Sequence, residues 1–132
     1  MSNIPYDSVI DKLKGQRVML VGGAGFIGHN MSLELRRNGI ETMVADNMVV
    51  NSMVDNAYHD RGDPTKRKLN IHFLMDRFDM MRDAGVEMRN VDARLFSDLA
   101  QVFDEFKPTK VVHLSAISSA VEARKNPGLC FD

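Results

Sequence analysis

Short apolar segments alternate with longer amphipathic segments along the chain. The segments predicted as strands are Arg17–Val21, Ile40–Ala45, Val86–Val91 and Lys110–Leu114, and each has the length of a β-strand. Strands that alternate with helices are typical of a parallel sheet, because each parallel pair needs a crossover that a helix can provide. The pattern therefore predicts an α/β fold, a doubly wound parallel sheet of about four strands with helices on both faces.

The segments between the strands have the apolar periodicity of helices. A glycine or a proline follows each of them closely, as expected where a helix ends. The segment 47–63 is rich in Asn and Asp and predicts a loop followed by a short helix. The predicted helices are Asp7–Lys14, Gly25–Asn38, Thr65–Asp83, Leu95–Phe106 and Ser118–Lys125.

The predicted helix Thr65–Asp83 carries a basic run and an apolar stripe. Leu69, Phe73, Phe78 and Met81 approximate the stripe, which we expect to face the sheet. The basic run Lys66–Lys68 has two interpretations, a contact to a ligand phosphate or a solvated helical turn.

A glycine-rich turn follows the first predicted strand. Gly22, Gly25 and Gly28 form a G-x-x-G-x-x-G spacing that leads from Val18–Val21 into a predicted helix. Glycines let the backbone bend sharply and approach a ligand closely. The first N–H groups of the helix lack partners within it, and with the helix dipole they favour an anion such as a diphosphate. The turn predicts a dinucleotide site and the strand order 3-2-1-4 of a Rossmann-type half.

Asp46 ends the second predicted strand. It lies 24 positions beyond Gly22, close to the spacing of about 20 at which a ribose-binding carboxylate is expected. A carboxylate here can accept hydrogen bonds from both hydroxyls of an adenosine ribose, and it would repel a 2′-phosphate. We therefore expect NAD rather than NADP. The alternative is that Asp46 only begins a turn.

Polar or small residues also follow the third and fourth strands. Asp92 can accept a hydrogen bond from an adenine amino group, or it can act as the N-cap of the helix that begins near Leu95. Ser115 and Ala116 are small enough for close approach of a nicotinamide ribose, or they form a plain strand-to-helix turn. Because ligands of such sheets lie outside the carboxyl ends of the strands, these positions predict one extended ligand across the edge.

Composition narrows the class of protein. The chain has 132 residues, enough for one domain at most. Its net charge of −1 gives no electrostatic reason to expect nucleic acid or an anionic membrane as a partner. No apolar run is long enough to span a bilayer. The one cysteine excludes an internal disulfide framework, no metal-ligand spacing is present, and we expect a cytoplasmic setting.

Taken together, the motifs resemble those of the extended short-chain dehydrogenase/reductases, in particular the NAD-dependent nucleotide-sugar epimerases and dehydratases. The resemblance extends from Arg17 to Asp132 and is more specific than the glycine motif alone. It implies that residues 1–132 are the amino-terminal part of an NAD-binding Rossmann domain, with no separate second domain. The motifs that carry it are Gly22–Gly28, Asp46-Asn47, Asn51-Ser52 after one inserted residue, Asp92, His113–Ala116 and Asn126-Pro127.

The resemblance also implies a role for each matching residue. Backbone N–H groups of the glycine turn and the following helix would hold the pyrophosphate, and the residues after the other strands would hold the rest of the cofactor. Asn51 and Ser52 would be further members of the site. The implied contacts are Gly22, Gly25, Phe26, Ile27 and Gly28 to the pyrophosphate, Asp46 and Asn47 to the adenosine ribose, Asp92 and Ala93 to adenine, and Leu114, Ser115 and Ala116 to the nicotinamide side.

The catalytic pair of that family is missing from these residues. The family uses a Tyr followed four positions later by a Lys, whereas Tyr6 is followed there by Ile10 and Tyr58 by Gly62. We therefore expect these 132 residues to bind the adenosine-diphosphate half of NAD weakly or not at all, and to catalyse nothing. A nucleotide-sugar substrate is expected only for a full-length version.

Two other functions stay open. One is a non-catalytic dinucleotide-binding or interaction module, and the other is an S-adenosylmethionine-dependent methyltransferase, which also has a glycine-rich first turn. We further expect self-association through the fourth strand or its flanking helices, because Val111–Leu114 would form an open apolar edge.

Overall fold

Strands and helices alternate throughout the described part of the chain, as the apolar pattern predicts. The structure is a computed structural model, and it describes residues 5–49, 52, 57, 63–116, 124 and 128. The predicted short helix within 47–63 and the predicted helix Ser118–Lys125 lie almost entirely outside these residues. The elements, in chain order, are α1 Tyr6–Leu13, β1 Arg17–Val21, α2 Phe26–Arg37, β2 Glu41–Asp46, α3 Pro64–Asp83, β3 Glu87–Asn90, α4 Phe96–Phe106 and β4 Lys110–His113.

The four strands form one parallel sheet in the order β3-β2-β1-β4. The predicted strand order and the predicted parallel arrangement are therefore confirmed. The burial of each strand follows its place in the sheet. In the central strands β1 and β2, Val18–Val21 and Thr42–Ala45 are buried, whereas β3 and β4 form the two edges and expose most of their side chains.

Helices cover both faces of the sheet, which confirms the doubly wound architecture. On one face, alternate strand residues such as Leu20 and Val44 pack with Ile10 of α1, Leu35 of α2 and Met81 of α3. On the other face, the intervening residues Met19, Val21 and Met43 pack with Val102 and Phe106 of α4. This division follows from the strand geometry, because successive side chains of a strand point to opposite faces.

The predicted apolar stripe of α3 is wrong in its first half. Leu69 and Phe73 are exposed, while Leu74 and Met81 are the buried residues of this helix. A helix of 20 residues is about 30 Å long, whereas the longest strand, with six residues, spans only about 20 Å. The amino-terminal half of α3 therefore has no sheet to cover.

Candidate functional site

The carboxyl ends of the four strands meet at one edge of the sheet. In the strand register, Val21 lies beside Ala45 on one side and beside His113 on the other, and Asp46 lies beside Asn90. The residues that follow each strand are therefore neighbours in space. The structure brings the predicted strand-end residues together at the place where such sheets bind ligands.

Gly22 begins the turn after β1 with a positive φ of 75°, a conformation that glycine adopts at little cost. Its N–H donates to the carbonyl oxygen of Ala45 at 2.7 Å. A Cβ on Gly22 would lie 2.5 Å from both the backbone nitrogen and the Oγ of Ser115. The absence of a side chain at Gly22 thus lets the turn after β1 touch the turn after β4.

Gly28 and Gly25 serve different purposes. A Cβ on Gly28 would lie 2.3 Å from the carbonyl oxygen of Gly23, so Gly28 lets α2 pack directly against the turn. Gly25 is the N-cap of α2 with an ordinary φ of −74°, and a Cβ there would meet none of the residues that the structure describes within 4 Å. The position of Gly25 therefore leaves an open surface beside the helix terminus, where a ligand can approach the backbone.

Within the described part of the chain, no side chain caps the first turn of α2, and this turn contains no acidic residue. The helix begins at Phe26, and the side chains of Phe26 and Ile27 are 76% and 65% exposed. The N–H groups of the first turn lack partners within the helix and lie at the positive end of its dipole. This terminus can accept an anion without displacing a carboxylate from the helix itself.

The Asp46 carboxylate points into the glycine turn. Its Oδ2 accepts the N–H of Ala24 at 2.9 Å, and its Oδ1 accepts the N–H of Met48 at 2.8 Å. The bond to Met48 forms a local turn, but the bond to Ala24 reaches across to the turn that follows the neighbouring strand β1, so Asp46 does more than begin a turn. An ionised carboxylate has about four acceptor sites, so these two bonds leave capacity for ribose hydroxyls.

Asn47 and Asp92 are also brought together, but Asp92 is already paired. Arg94 donates to the Asp92 carboxylate through Nε at 3.0 Å, through Nη2 at 2.7 Å and through its backbone N–H at 3.0 Å. These bonds, with one from the Asn47 side chain, hold the pKa of Asp92 well below its usual range. Asp92 is therefore ionised and oriented by Arg94 at neutral pH.

The alternative in which Asp92 caps the next helix is wrong. The N-cap of α4 is Leu95, and it makes no side-chain cap hydrogen bond. The side chain of Asp92 bonds to Arg94, two positions along, which is a local turn rather than a cap. The predicted adenine contact at Asp92 stays a prediction.

The remaining predicted residues differ in how far they approach the site. Leu114 donates its N–H to the carbonyl oxygen of Val21 at 2.7 Å, which extends the β4 ladder to the edge. Ser115 is half-buried against Gly22, whereas Ala116 is exposed. Ala93 packs at the margin of the apolar cluster between the sheet and α4. Ser52 is half-buried, and Asn51 lies outside the described residues.

Sequence reasoning missed Arg77, which lies on α3. Its Nη1 donates to the carbonyl oxygen of Ala24 at 2.9 Å, 53 positions away in the chain. The guanidinium is half-buried, and its burial lowers the pKa of Arg77. One signal was present: Arg77 lies four residues before Met81 and three after Leu74, so helical spacing places a cation on the buried face.

The residues at this edge fit a dinucleotide. The open surface at Gly25 and the uncapped terminus of α2 suit a diphosphate, and the carboxylate of Asp46 lies one strand away, where an adjoining ribose would follow.

No helix among the described residues has the length and apolar character that crossing a membrane requires.

Comparison with known proteins points to one family. The model of the NAD dependent epimerase/dehydratase family matches residues 18–132. The bifunctional protein GAL10 of Candida maltosa is 30% identical over 114 residues, which are 86% of this chain and 63% of that protein. The bifunctional protein gal10 of Schizosaccharomyces pombe is 26% identical over 120 residues, which are 91% of this chain and 14% of that protein.

Solved structures agree with this family. The UDP-glucose 4-epimerase of Thermus thermophilus in complex with NAD is 30% identical with a TM-score of 0.58, and the match covers 87% of this chain and 29% of that one. The enzyme from Stenotrophomonas maltophila, at 24% identity and a TM-score of 0.61 over 89% of this chain, shows the shared fold. The chain thus spans less than a third of the length of these two structures.

Proposed function

The chain belongs to the NAD dependent epimerase/dehydratase family, and from that premise we propose that it is the amino-terminal part of an NAD-binding Rossmann domain. The glycine turn, Gly22–Gly28, and the first turn of α2 hold the cofactor pyrophosphate, and Asp46 holds the adenosine ribose. The protein to which this part belongs is a nucleotide-sugar epimerase or dehydratase. Its cofactor, when bound, supplies transient hydride transfer from a sugar carbon to the nicotinamide.

One observation carries this proposal. The Asp46 carboxylate and the glycine turn are joined by the 2.9 Å bond from Ala24 N–H to Oδ2, which supports a single ligand that spans a ribose acceptor and diphosphate donors. The negative charge of Asp46 would oppose a 2′-phosphate, which favours NAD over NADP. The NAD complex of the Thermus thermophilus relative supports the same cofactor.

A direct test is titration of the isotope-labelled 132-residue chain with ADP, followed by NMR. Since this chain is expected to hold only the adenosine-diphosphate half, we expect a dissociation constant on the order of 1 mM. Amide shifts should change at Gly25–Gly28 and at Asp46, and hardly at α4. The same titration with 2′-phospho-ADP, which differs from ADP only by the added 2′-phosphate, should give binding weaker by about tenfold, because the 2′-phosphate meets the carboxylate.

The matched variants are Asp46→Asn, which removes the charge but keeps an acceptor oxygen, and Asp104→Asn, which makes the same change on the exposed surface of α4. Asp46→Asn should reduce the preference for ADP over the 2′-phosphorylated ligand, and Asp104→Asn should leave it unchanged. Shifts confined to other surfaces, or stronger binding of S-adenosylmethionine than of ADP, would reject the dinucleotide assignment.

A second candidate, a dinucleotide-binding module without catalysis, is favoured by the missing Tyr-x-x-x-Lys pair in these 132 residues. Both candidates predict ADP binding without turnover by this chain, and they differ in the protein to which the chain belongs: a longer reading frame that contains a Tyr-x-x-x-Lys pair would favour the epimerase or dehydratase. Incubation of the chain with NAD and UDP-sugars should give no epimerised or dehydrated product. Detectable turnover by this chain would mean that another residue replaces the missing pair.

A further inference from the structure

Arg77 and Asp46 hold the peptide units on either side of Ala24. Arg77 donates to the Ala24 carbonyl oxygen at 2.9 Å, and Asp46 accepts the Ala24 N–H at 2.9 Å. Ala24 is fully buried, so its N–H and carbonyl groups depend on these two side chains rather than on bulk water for their hydrogen bonds. The two charged side chains therefore fix the orientation of the turn immediately before the N-cap of α2.

The carbonyl of Ala24 and the N–H of Gly25 belong to one planar peptide unit and point in opposite directions. Gly25 has no side chain, and a Cβ there would meet none of the described residues within 4 Å, so no side-chain packing at Gly25 holds this unit in its orientation. A rotated unit would direct a carbonyl oxygen towards the open surface beside α2, and a carbonyl dipole opposes an anion there. The bond from Arg77 opposes that rotation.

We propose that Arg77 is a positioning residue for the diphosphate site, because its bond to the Ala24 carbonyl keeps the glycine turn in the orientation that accepts an anion. The inference rests on the proposed dinucleotide function and deepens it. Arg77 lies between Leu74 and Met81, the two buried residues of α3, and α3 packs beside α2. The packing of the third helix thereby contributes to a site formed by the first strand and its helix.

The test compares Arg77→Met, which keeps an apolar stem but removes the donor, with Arg77→Lys, which keeps an N–H donor. The matched control is Arg36→Met, because Arg36 makes the same kind of bond away from the site. Its Nε donates to the carbonyl oxygen of Ala84 at 3.1 Å, and Ala84 precedes β3, at the amino-terminal end of the parallel strands. Each variant is examined without ligand by amide hydrogen exchange at Ala24 and by the ¹⁵N shift of Gly25, which shares the peptide unit of the Ala24 carbonyl. Each is then titrated with ADP.

In Arg77→Met we expect faster amide exchange at Ala24 and a changed ¹⁵N chemical shift of Gly25, while amide exchange at Leu20 and Val44 stays unchanged. The dissociation constant for ADP should rise about tenfold. Arg77→Lys should recover most of the ADP affinity. Arg36→Met should leave ADP binding unchanged even if it lowers the melting temperature.

Three results would overturn the inference. Unchanged exchange and shift in Arg77→Met would mean that Arg77 does not orient the turn. A changed turn with unchanged ADP affinity would limit Arg77 to a structural role. A parent chain that does not bind ADP would reject the proposed function itself. Any change in amide exchange in Arg77→Met would then show only that Arg77 stabilises the turn.

Discussion

At the scale of single residues, the glycines of the turn have separable roles. Gly22 and Gly28 are required by close contacts, to Ser115 and to Gly23 respectively, whereas Gly25 has open space where a side chain would lie. Two of the three glycines in the motif therefore serve the fold, and the third leaves room at the proposed ligand surface. A substitution series can distinguish the two purposes.

We predict that Gly28→Ala destabilises the chain by about 1–3 kcal/mol, because the new Cβ would lie 2.3 Å from the Gly23 carbonyl oxygen. Gly25→Ala should cost less than about 1 kcal/mol, the difference between these residues as N-caps. Urea denaturation of both variants measures the difference. An equal loss of stability in the two variants would contradict the assignment of these roles.

Asp92 and Arg94 show how a local pair can change the role of a predicted site residue. Asp92 lies at the predicted strand end, but three bonds from Arg94 occupy its carboxylate. An aspartate whose pKa is lowered in the folded state stabilises that state above its unfolded pKa and ceases to do so as the pH falls through the folded value. This pair therefore contributes to stability at neutral pH, and its contribution is lost only in strong acid.

At the scale of elements, α3 consists of two halves that differ in burial. The carboxyl-terminal half contains the buried Leu74, packs into the core beneath α2 and the sheet through Met81, and carries Arg77. The amino-terminal half is capped by Asp63, whose side chain accepts the N–H of Thr65 at 2.8 Å, but it exposes Leu69 and Phe73. The stability of the fold should therefore depend on one half much more than on the other.

We predict that Met81→Ala destabilises the chain by about 2–5 kcal/mol, because Met81 is only 1% exposed and its truncation leaves a cavity. Phe73→Ala should change stability by less than about 0.5 kcal/mol, because its side chain is 55% exposed. Thermal unfolding of both variants provides the measurement. A large effect of Phe73→Ala would show that this side chain is covered in solution.

At the scale of the whole molecule, β4 forms one edge of the sheet, and within the described ranges no strand pairs with its outer side. Val111 on this strand is 45% exposed, and Phe96 on the preceding helix is 85% exposed. An edge with exposed apolar residues is a template for pairing with another chain. The expected self-association through this edge or its flanking helices stays a prediction.

We predict that Val111→Lys shifts the chain towards the monomer in sedimentation velocity, because an edge lysine opposes strand pairing. Phe96→Lys tests the flanking helix in the same way. Val9→Lys is the matched control, since Val9 is similarly exposed, at 42%, but lies on α1. A parent chain that stays monomeric at high concentration would contradict the prediction.

The sequence by itself determined the layers, the strand order and the end of the sheet at which the candidate site is expected. It could do so because these features follow from short stretches of sequence: the four consecutive apolar residues Val18–Val21 of β1 belong at the centre of a covered sheet, and a glycine spacing after a strand describes its own turn. The placement of Asp46 one strand from that turn follows from the same strand order, and the 2.9 Å bond to Ala24 agrees with it.

Only the tertiary structure decided which half of α3 is buried, that Asp92 pairs with Arg94 instead of capping α4, and that Arg77 reaches Ala24. Helical periodicity defines a face, but it does not say how far a helix extends beyond the sheet it covers, so Leu69 and Phe73 could not be distinguished from Met81. The contact from Arg77 joins residues 53 positions apart. Its existence depends on how two helices pack, which no local pattern encodes.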